Sequence, residues 1–207
     1  MNSTPVKIFL VYALACLIWG STWLAIRIGL ESLTPMFSAG VRFGLASLIV
    51  SVLMKIKKLK LQSDKLSVQL YFIMGFFSFI IPFTLVYWAE QFVPSGLAAV
   101  LFAVFPFFVA LLSYVMISAD AIDRYKIAGM VIGFSGVLII FSESLSLDFS
   151  DYLLGMAAIV FSAAIQSFVT VKLKKSGNHL NPLTMNFVPM GIAGIVLIPL
   201  GLSLIHI

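Results

Sequence analysis

The feature that most restricts this chain is a succession of apolar runs, each about as long as a bilayer is thick. A helix rises about 1.5 Å per residue, so about 20 apolar residues cross a hydrocarbon core of about 30 Å. Seven runs meet or approach this length, at residues 8–30, 36–54, 66–89, 95–118, 126–142, 152–171 and 183–204. Backbone groups in lipid must pair within their own segment, and no alternating strand pattern is present. The sequence therefore predicts an all-α, polytopic transmembrane helix bundle.

The composition excludes a soluble domain. Hydrophobic residues make up 61% of the chain and charged residues 10%, whereas soluble proteins average about 45–50% and about 25%. The single cysteine, Cys16, excludes an internal disulfide scaffold. The first run is interpreted as a retained span and not as a signal peptide, because Trp19 and Trp23 interrupt it and no small-residue cleavage site is suitably placed.

The basic residues predict the orientation in the membrane. All Lys and Arg except Arg27 and Arg42 lie before the first run or in the connections after the second, fourth and sixth runs: Lys7, Lys55, Lys57, Lys58, Lys60, Lys65, Arg124, Lys126, Lys172, Lys174 and Lys175. The other connections carry acidic residues instead: Glu31, Glu90, Glu143, Asp148 and Asp151. The positive-inside rule then predicts a multi-pass protein of the cell (inner or plasma) membrane with a cytoplasmic N-terminus. The net charge of +5 is explained by this topology, so we expect no nucleic-acid partner.

An internal repeat is visible along the chain. Two stretches match at a constant offset, namely Leu33-Thr34-Pro35 with Gly44 and Ala46, and Leu180-Asn181-Pro182 with Gly191 and Ala193. This match makes the repeating unit five helices long, so the second copy enters the membrane from the opposite side. Inverted repeats of this kind are typical of secondary transporters, which bind substrate near the midplane between the halves. Chance matching in low-diversity apolar sequence is the alternative.

Several short motifs follow one another along the chain: Trp19-Gly20-Ser21-Thr22-Trp23, Pro35 with Arg42-Phe43, Pro94-Ser95-Gly96-Leu97-Ala98-Ala99, Pro106, and Gly129 and Gly133 with Gly136-Val137. Taken in this order, they resemble the first EamA domain of the drug/metabolite transporter superfamily. The resemblance covers Ile8 to about Phe141 and continues into a second repeat. The family usually has a glutamate after its fourth helix, where this chain has Asp120.

The resemblance implies ten helices in two inverted five-helix repeats, of which seven helices are present here. We therefore expect a first EamA repeat at residues 8–142 and an incomplete second repeat at 152–207, as in a C-terminally truncated member. The closing run 202–207 reads like a translated adapter sequence. A natural seventh helix that ends at the membrane surface is the alternative.

The function implied by the resemblance is secondary transport. It would be the export of small organic metabolites, such as amino acids or related solutes, by alternating access between the repeats. The residues show no P-loop, no GxSxG and no HExxH, and neither His179 nor His206 belongs to a metal-ligand spacing. We predict no enzyme activity, no cofactor and no metal, with a small-molecule substrate and membrane lipids as partners and homo-oligomers left open. A non-transporting membrane scaffold or assembly subunit is the alternative, and a membrane-embedded enzyme comes third.

Arg42 is the leading candidate for substrate binding. It lies about seven residues inside the second run, or roughly 10 Å from the boundary of the span. A charge at such depth is costly, so it is expected to face a cavity or a partner. A structural arginine that snorkels toward the interface is the alternative.

A second group of cavity candidates lies in the middle of the first run. Trp19, Thr22 and Trp23 share one helical face, because positions i, i+3 and i+4 are neighbours, and Ser21 adds another hydroxyl. Aromatic faces and hydroxyls suit a cavity wall, although packing between helices is the alternative. Gln166, in the middle of the sixth run, is a further pore-lining candidate.

Small residues and prolines suggest how the helices pack and bend. Gly40–Gly44 and Gly129–Gly133 are GxxxG pairs, which favour close helix packing. A backbone surface open to substrate is the alternative. Pro82 and Pro106 lie inside runs and should kink them, so we predict helix hinges there.

The remaining polar and aromatic residues receive structural interpretations. Arg27 is expected to pair with Glu31 one turn further along at the membrane surface. Tyr87 and Trp88 are interpreted as interfacial anchors. Glu90, which can pair with Arg42 or take a proton, is expected at the outer surface.

Overall fold

The computed structural model of the chain describes residues 5–117, 123–144 and 149–203. Asp120, Asp148 and His206, each considered above, lie outside these residues, as does the rest of the closing run from residue 204 onward. The side chains of Glu143 and Asp151 lie outside them too. The described part of the chain is helical throughout, apart from its connecting turns.

Nine α-helices and one π-helical turn make up the described residues. They are α1 (Pro5–Leu30), α2 (Pro35–Ile56), α3 (Lys65–Met74), the π-helical turn (Gly75–Ile80), α4 (Ile81–Ala89), α5 (Ser95–Phe102), α6 (Phe105–Met116), α7 (Arg124–Ser144), α8 (Phe149–Ser176) and α9 (Pro182–Ser203). The third span runs from α3 through the π-helical turn to α4, and the fourth comprises α5 and α6.

By length and composition, six stretches of the described residues can cross a membrane: Val6–Leu30, Pro35–Ile56, Lys65–Ala89, Ser95–Met116, Leu153–Ser176 and Pro182–Ser203. The fifth predicted run is present as α7. Within it, Ile127–Gly136 is apolar but shorter than the six stretches above. The prediction of an all-α polytopic helix bundle is therefore confirmed.

Polar residues and prolines between the runs determine where helices begin. Pro35 and Pro182 occupy the first positions of α2 and α9, where a missing N–H costs no helical hydrogen bond. The Asp64 carboxylate accepts a hydrogen bond from the backbone N–H of Ser67, 3.1 Å away, and so caps α3.

Helices α2 and α9 cross closely, because glycines leave room for the opposite backbone. A Cβ on Gly40 would lie 2.7 Å from the backbone N of Ile198, and a Cβ on Gly194 would lie 2.9 Å from the Cα of Gly44. The close packing predicted for Gly40–Gly44 is confirmed.

The second glycine pair behaves differently. A Cβ on Gly129 would meet no atom of the described residues within 4 Å, and one on Gly133 would make an ordinary contact with Phe107 at 3.5 Å. The close approach expected for Gly129–Gly133 is therefore not found in the described part of the chain. The same GxxxG spacing thus has two different environments.

Two hydrogen bonds to the backbone show that α2 and α9 run antiparallel. The Ser47 hydroxyl donates to the carbonyl of Phe187 at 2.9 Å, and the Thr34 hydroxyl donates to the carbonyl of Gly201 at 3.2 Å. The start of α2 therefore lies beside the end of α9. In an apolar environment these bonds replace water as partners of the hydroxyl groups.

One core cluster lies between α2, the π-helical turn, α4 and α9. The ring of Phe43 on α2 packs edge-on against Phe79 and Phe83, with ring centroids 5.2 and 4.8 Å apart, and Leu197 of α9 is buried in the same cluster. Helix α8 packs against α4, α5 and α6, whereas α1 lies at the periphery and exposes apolar side chains such as that of Phe9. Such outer surfaces match a lipid environment.

Both helix breaks inside spans occur next to the prolines that sequence analysis singled out. The π-helical turn Gly75–Ile80 ends just before Pro82, which lies in the first turn of α4. The fourth span is interrupted after Phe102, and Pro106 lies in the first turn of α6. A hinge function of these positions stays a prediction.

Candidate functional site

A cavity of about 220 Å³ lies where α1, α2, α4, α5 and α8 meet. It is lined by Ile18, Trp19, Thr22, Trp23, Ile26, Arg42, Phe83, Val86, Phe102 and Gln166. Five of the six side chains that the sequence suggested for a cavity thus come together at one place. Their role in binding stays a prediction.

The α1 wall of the cavity is formed by two tryptophans, two isoleucines and one threonine. Trp19, Thr22, Trp23 and Ile26 recur at helical spacing, so one face of α1 supplies all four. The Thr22 hydroxyl donates to the carbonyl of Ile18 at 2.8 Å, so its proton is used within the helix while the oxygen can still accept. The Trp23 ring packs against Phe102 with centroids 5.5 Å apart.

Ser21 does not belong to this wall. Its hydroxyl donates to the carbonyls of Leu17 and Ile18, at 2.8 and 3.2 Å, on an exposed part of α1. It lies on another side of the helix from Trp19, Thr22 and Trp23, and is absent from the cavity lining. The spacing argument that groups the other three residues of α1 does not include Ser21.

Arg42 brings positive charge to the cavity. One guanidinium nitrogen, Nη1, lies 3.4 Å from the hydroxyl of Tyr87, which is a long hydrogen bond. A guanidinium has five N–H donors, and within the described residues the others have no hydrogen-bond partner. Tyr87, interpreted above as an interfacial anchor, is instead buried and holds Arg42.

Gln166 lines the cavity from α8. Its backbone carbonyl accepts a hydrogen bond from Thr170, but its side-chain amide makes no hydrogen bond within the described residues. The amide can therefore donate and accept. Arg42 and Gln166 give the cavity two polar groups among aromatic and aliphatic side chains.

A larger cavity of about 740 Å³ has a different character. Its lining comes from α5 to α8 and consists of apolar side chains: Leu101, Val104, Phe107, Phe108, Phe134, Leu153, Met156, Ala157, Val160, Phe161 and Ala164. None of the described residues that line this cavity has a polar side chain to orient a polar solute. The smaller cavity has the apolar wall and few placed polar groups of a ligand site.

Arg27 and Glu90 meet at the end of the bundle, but not as an ion pair. The Arg27 guanidinium donates to the backbone carbonyl of Glu90 and lies 3.5 Å from that of Gln91. The predicted pair of Arg27 with Glu31 is therefore wrong. The carbonyl groups that end α4 offer Arg27 a fixed, partly buried partner, whereas Glu31 is exposed.

The Glu90 side chain is buried, although the sequence placed it at the outer surface. Its exposure is 0%, and neither carboxyl oxygen has a hydrogen-bond partner within the described residues. Glu90 lies in the turn just beyond the third span. Burial raises the pKa of its carboxyl to about 8, against the lowering effect of the Arg27 and Arg42 charges.

A polar cluster lies at the other, lysine-rich end of the bundle, where the α2–α3 and α8–α9 connections meet. The Gln62 side-chain oxygen accepts hydrogen bonds from Tyr71 at 3.1 Å and from Thr184 at 2.6 Å. The hydroxyl of Ser67 lies 3.0 Å from Nε2 of His179. Sequence analysis missed this cluster, because its members are far apart along the chain.

The described residues contain no group of three or more His, Cys, Asp or Glu side chains placed to hold a metal ion. The polar groups that meet at the smaller cavity are instead a guanidinium and an amide. Both groups can donate hydrogen bonds, and the amide oxygen can accept them. They do not form an acid–base or nucleophilic set.

Comparison with known proteins adds the following findings. The EamA-like transporter family matches residues 6–142. The chain is 30% identical to protein PagO of Salmonella typhimurium over 95% of the chain and 64% of that protein. It is 29% identical to the uncharacterized transporter YoaV of Bacillus subtilis over 87% of the chain and 62% of that protein.

A further relative is an uncharacterized transporter of Buchnera aphidicola subsp. Schizaphis graminum, which is 26% identical over 92% of the chain and 63% of that protein. The chain spans less than two thirds of the length of these three relatives. No solved structure matches it.

Proposed function

Because the chain belongs to the EamA-like transporter family, we propose that it provides the substrate cavity of a secondary transporter for small solutes that carry a carboxylate, such as amino acids. The family and the six apolar helices of the described residues support a multi-pass membrane transporter. The proposal concerns which solutes are carried, by which side chains, and by what movement.

The observation that carries the proposal is the position of Arg42 in a small, mostly apolar cavity. Within the described residues, its guanidinium has N–H groups without a hydrogen-bond partner. Arginine favours pairing with a carboxylate through two parallel hydrogen bonds. Gln166 offers a second polar contact, and Trp19 and Trp23 offer apolar surface. A volume of about 220 Å³ is at the small end for ligand sites, which favours a small solute.

The α2–α9 crossing supports an inverted pair of repeats. Under the offset that aligns the two proline motifs, Gly44 corresponds to Gly191 and Ser47 to Gly194. A Cβ on Gly194 would lie 2.9 Å from Gly44, and a Cβ on Gly191 would lie 3.1 Å from the Ser47 hydroxyl. Exchanging each residue for its repeat equivalent turns the contact of Gly44 with Gly194 into the contact of Gly191 with Ser47. A two-fold axis in the membrane plane produces this pattern.

Alternating access follows from such an axis, because rocking about it opens one side while closing the other. The cluster of Gln62, Tyr71 and Thr184 joins the two repeats at the lysine-rich end, which the positive-inside rule predicts to be cytoplasmic. We propose that this cluster separates when the cavity opens to the cytoplasm. Export is the direction that the resemblance implies.

The test is a binding screen on the purified full-length protein. Thermal unfolding is followed with a panel of amino acids and 2-oxo acids and, in parallel, with the corresponding amides. At least one carboxylate should raise the unfolding temperature while its amide does not. The stabilisation should vanish in Arg42→Leu and persist in Arg124→Leu, since Arg124 is exposed away from the cavity.

If every carboxylate and amide left the unfolding temperature unchanged, the proposal of a carboxylate site would fail. That result would favour the alternative of a non-transporting membrane scaffold or assembly subunit. Equal stabilisation by a carboxylate and its amide would show binding without the predicted role of the charge on Arg42.

A further inference from the structure

Glu90 is a buried carboxyl group that the proposed binding site does not use. Its side chain is fully buried, and both of its oxygens lack a hydrogen-bond partner within the described residues. A carboxylate buried without partners is strongly disfavoured, whereas the protonated acid is not. The environment of Glu90 therefore favours a bound proton.

Among the described residues, the groups that face Glu90 come from three helices. Arg27 of α1 donates to the Glu90 backbone carbonyl, and Arg42 of α2 bonds to Tyr87, one helical turn before Glu90 on α4. The charges of both arginines act on the Glu90 carboxyl. From α8, Gly155 packs against the same turn and brings no titratable side chain.

We infer that Glu90 is a proton-binding site of the transporter and that its proton is linked to the occupancy of Arg42. The positive charge of Arg42 favours the ionised form of Glu90. A carboxylate bound at Arg42 cancels that charge, so proton binding at Glu90 becomes tighter. By reciprocity, the proton must then favour binding of the carboxylate by the same factor.

The structure explains how the two sites communicate without touching. Tyr87 contacts Arg42 through its hydroxyl and lies three residues, or about one helical turn, before Glu90, which directly follows α4. The carboxylate at Arg42 rests on the proposed function. Proton binding at Glu90 does not depend on it, so the two can fail separately.

The experiment is an infrared pH titration of the purified full-length protein without any ligand. A protonated carboxyl group has a C=O absorption that the ionised form lacks. The wild-type protein should show this band at neutral pH and lose it as the pH rises, and Glu90→Gln should lack it. Glu31→Gln is the matched control, because Glu31 is exposed in a connection at the same end of the bundle.

Arg42→Leu imitates the neutralised arginine and tests the linkage. Proton binding at Glu90 should become tighter by on the order of tenfold, so the band should persist to higher pH. Arg42→Lys keeps the charge and should titrate like the wild type.

The proton site would be overturned if the wild type showed no such band at neutral pH, or if Glu90→Gln showed the same band as the wild type. The wild-type titration alone decides this if a variant does not fold. An unchanged midpoint in Arg42→Leu would overturn the linkage. Binding of carboxylates in the screen described above would leave the proposed function standing in either case.

Discussion

The crossing of α2 and α9 offers a sharp test of the packing, through the substitution Gly40→Ala. A Cβ at this position would lie 2.7 Å from the backbone N of Ile198 and 2.9 Å from the backbone C of Leu197. Carbon atoms in contact normally lie about 3.5–4.0 Å apart, so the two backbones must separate by on the order of 1 Å. Neither backbone atom can rotate away as the end of a side chain would.

Two effects of opposite sign determine the size of the change. Overpacking of a well-packed contact costs about 1–3 kcal/mol, and replacing Gly by Ala inside a helix gains about 0.5–1 kcal/mol. We expect Gly40→Ala to lower the free energy of unfolding by about 1–2 kcal/mol. Gly129→Ala is the matched control from the second GxxxG pair. It should be neutral or stabilising, because no described atom lies within 4 Å of the added Cβ.

Thermal unfolding of the purified full-length variants in detergent measures the difference. A loss of 1 kcal/mol lowers the midpoint by about 2–4 °C in a domain of 150–250 residues. Gly40→Ala should therefore unfold about 2–8 °C below the wild type. If Gly40→Ala and Gly129→Ala unfolded at the same temperature, the close crossing of α2 and α9 would be refuted.

Three further predictions concern pH, topology and a single hydrogen bond. Because the pKa of Glu90 is raised from 4.5 to about 8, the folded protein holds a proton that the unfolded chain releases. The stability that this proton contributes is full below about pH 4.5 and is lost as the pH rises to about 8. The thermal midpoint of the wild type should therefore fall over this pH range, and that of Glu90→Gln should fall less steeply. After replacement of the native cysteine, single cysteines at Lys58 and Glu31 should react with a membrane-impermeant reagent from opposite faces, and labelling of both from outside would reverse the topology. Ser47→Ala, which removes the hydrogen bond to Phe187, should cost about 0.5–1.5 kcal/mol of unfolding free energy, and an unchanged midpoint would argue against that bond.

Much of the fold could be predicted from the sequence because the membrane leaves few choices. Runs of about 20 apolar residues must be helical in lipid, and the structure has helices in all seven predicted places. The grouping of Trp19, Thr22 and Trp23 followed from helical periodicity alone. The depth of Arg42 predicted that it would face a cavity, because a charge facing lipid is costly.

Other features depend on which helices meet, and the sequence of one helix does not contain that information. The pairs Gly40–Gly44 and Gly129–Gly133 have the same pattern, yet only the first lies against another backbone among the described residues. Glu90 looked exposed because it follows a span, but its burial depends on packing by other helices. The contact of Ser67 with His179 joins residues 112 positions apart, and no local pattern indicates it.

The central claim is that Arg42 binds a carboxylate group of the transported solute. The most direct test is counterflow in proteoliposomes, in which the full-length protein exchanges a labelled carboxylate taken from the binding screen. Rates are compared per molecule of reconstituted protein. We expect Arg42→Leu to abolish exchange at normal protein levels. Arg42→Lys should keep a small part of the exchange, because the charge remains but the planar guanidinium is lost. Near-normal exchange per molecule by Arg42→Leu would contradict carboxylate binding by Arg42.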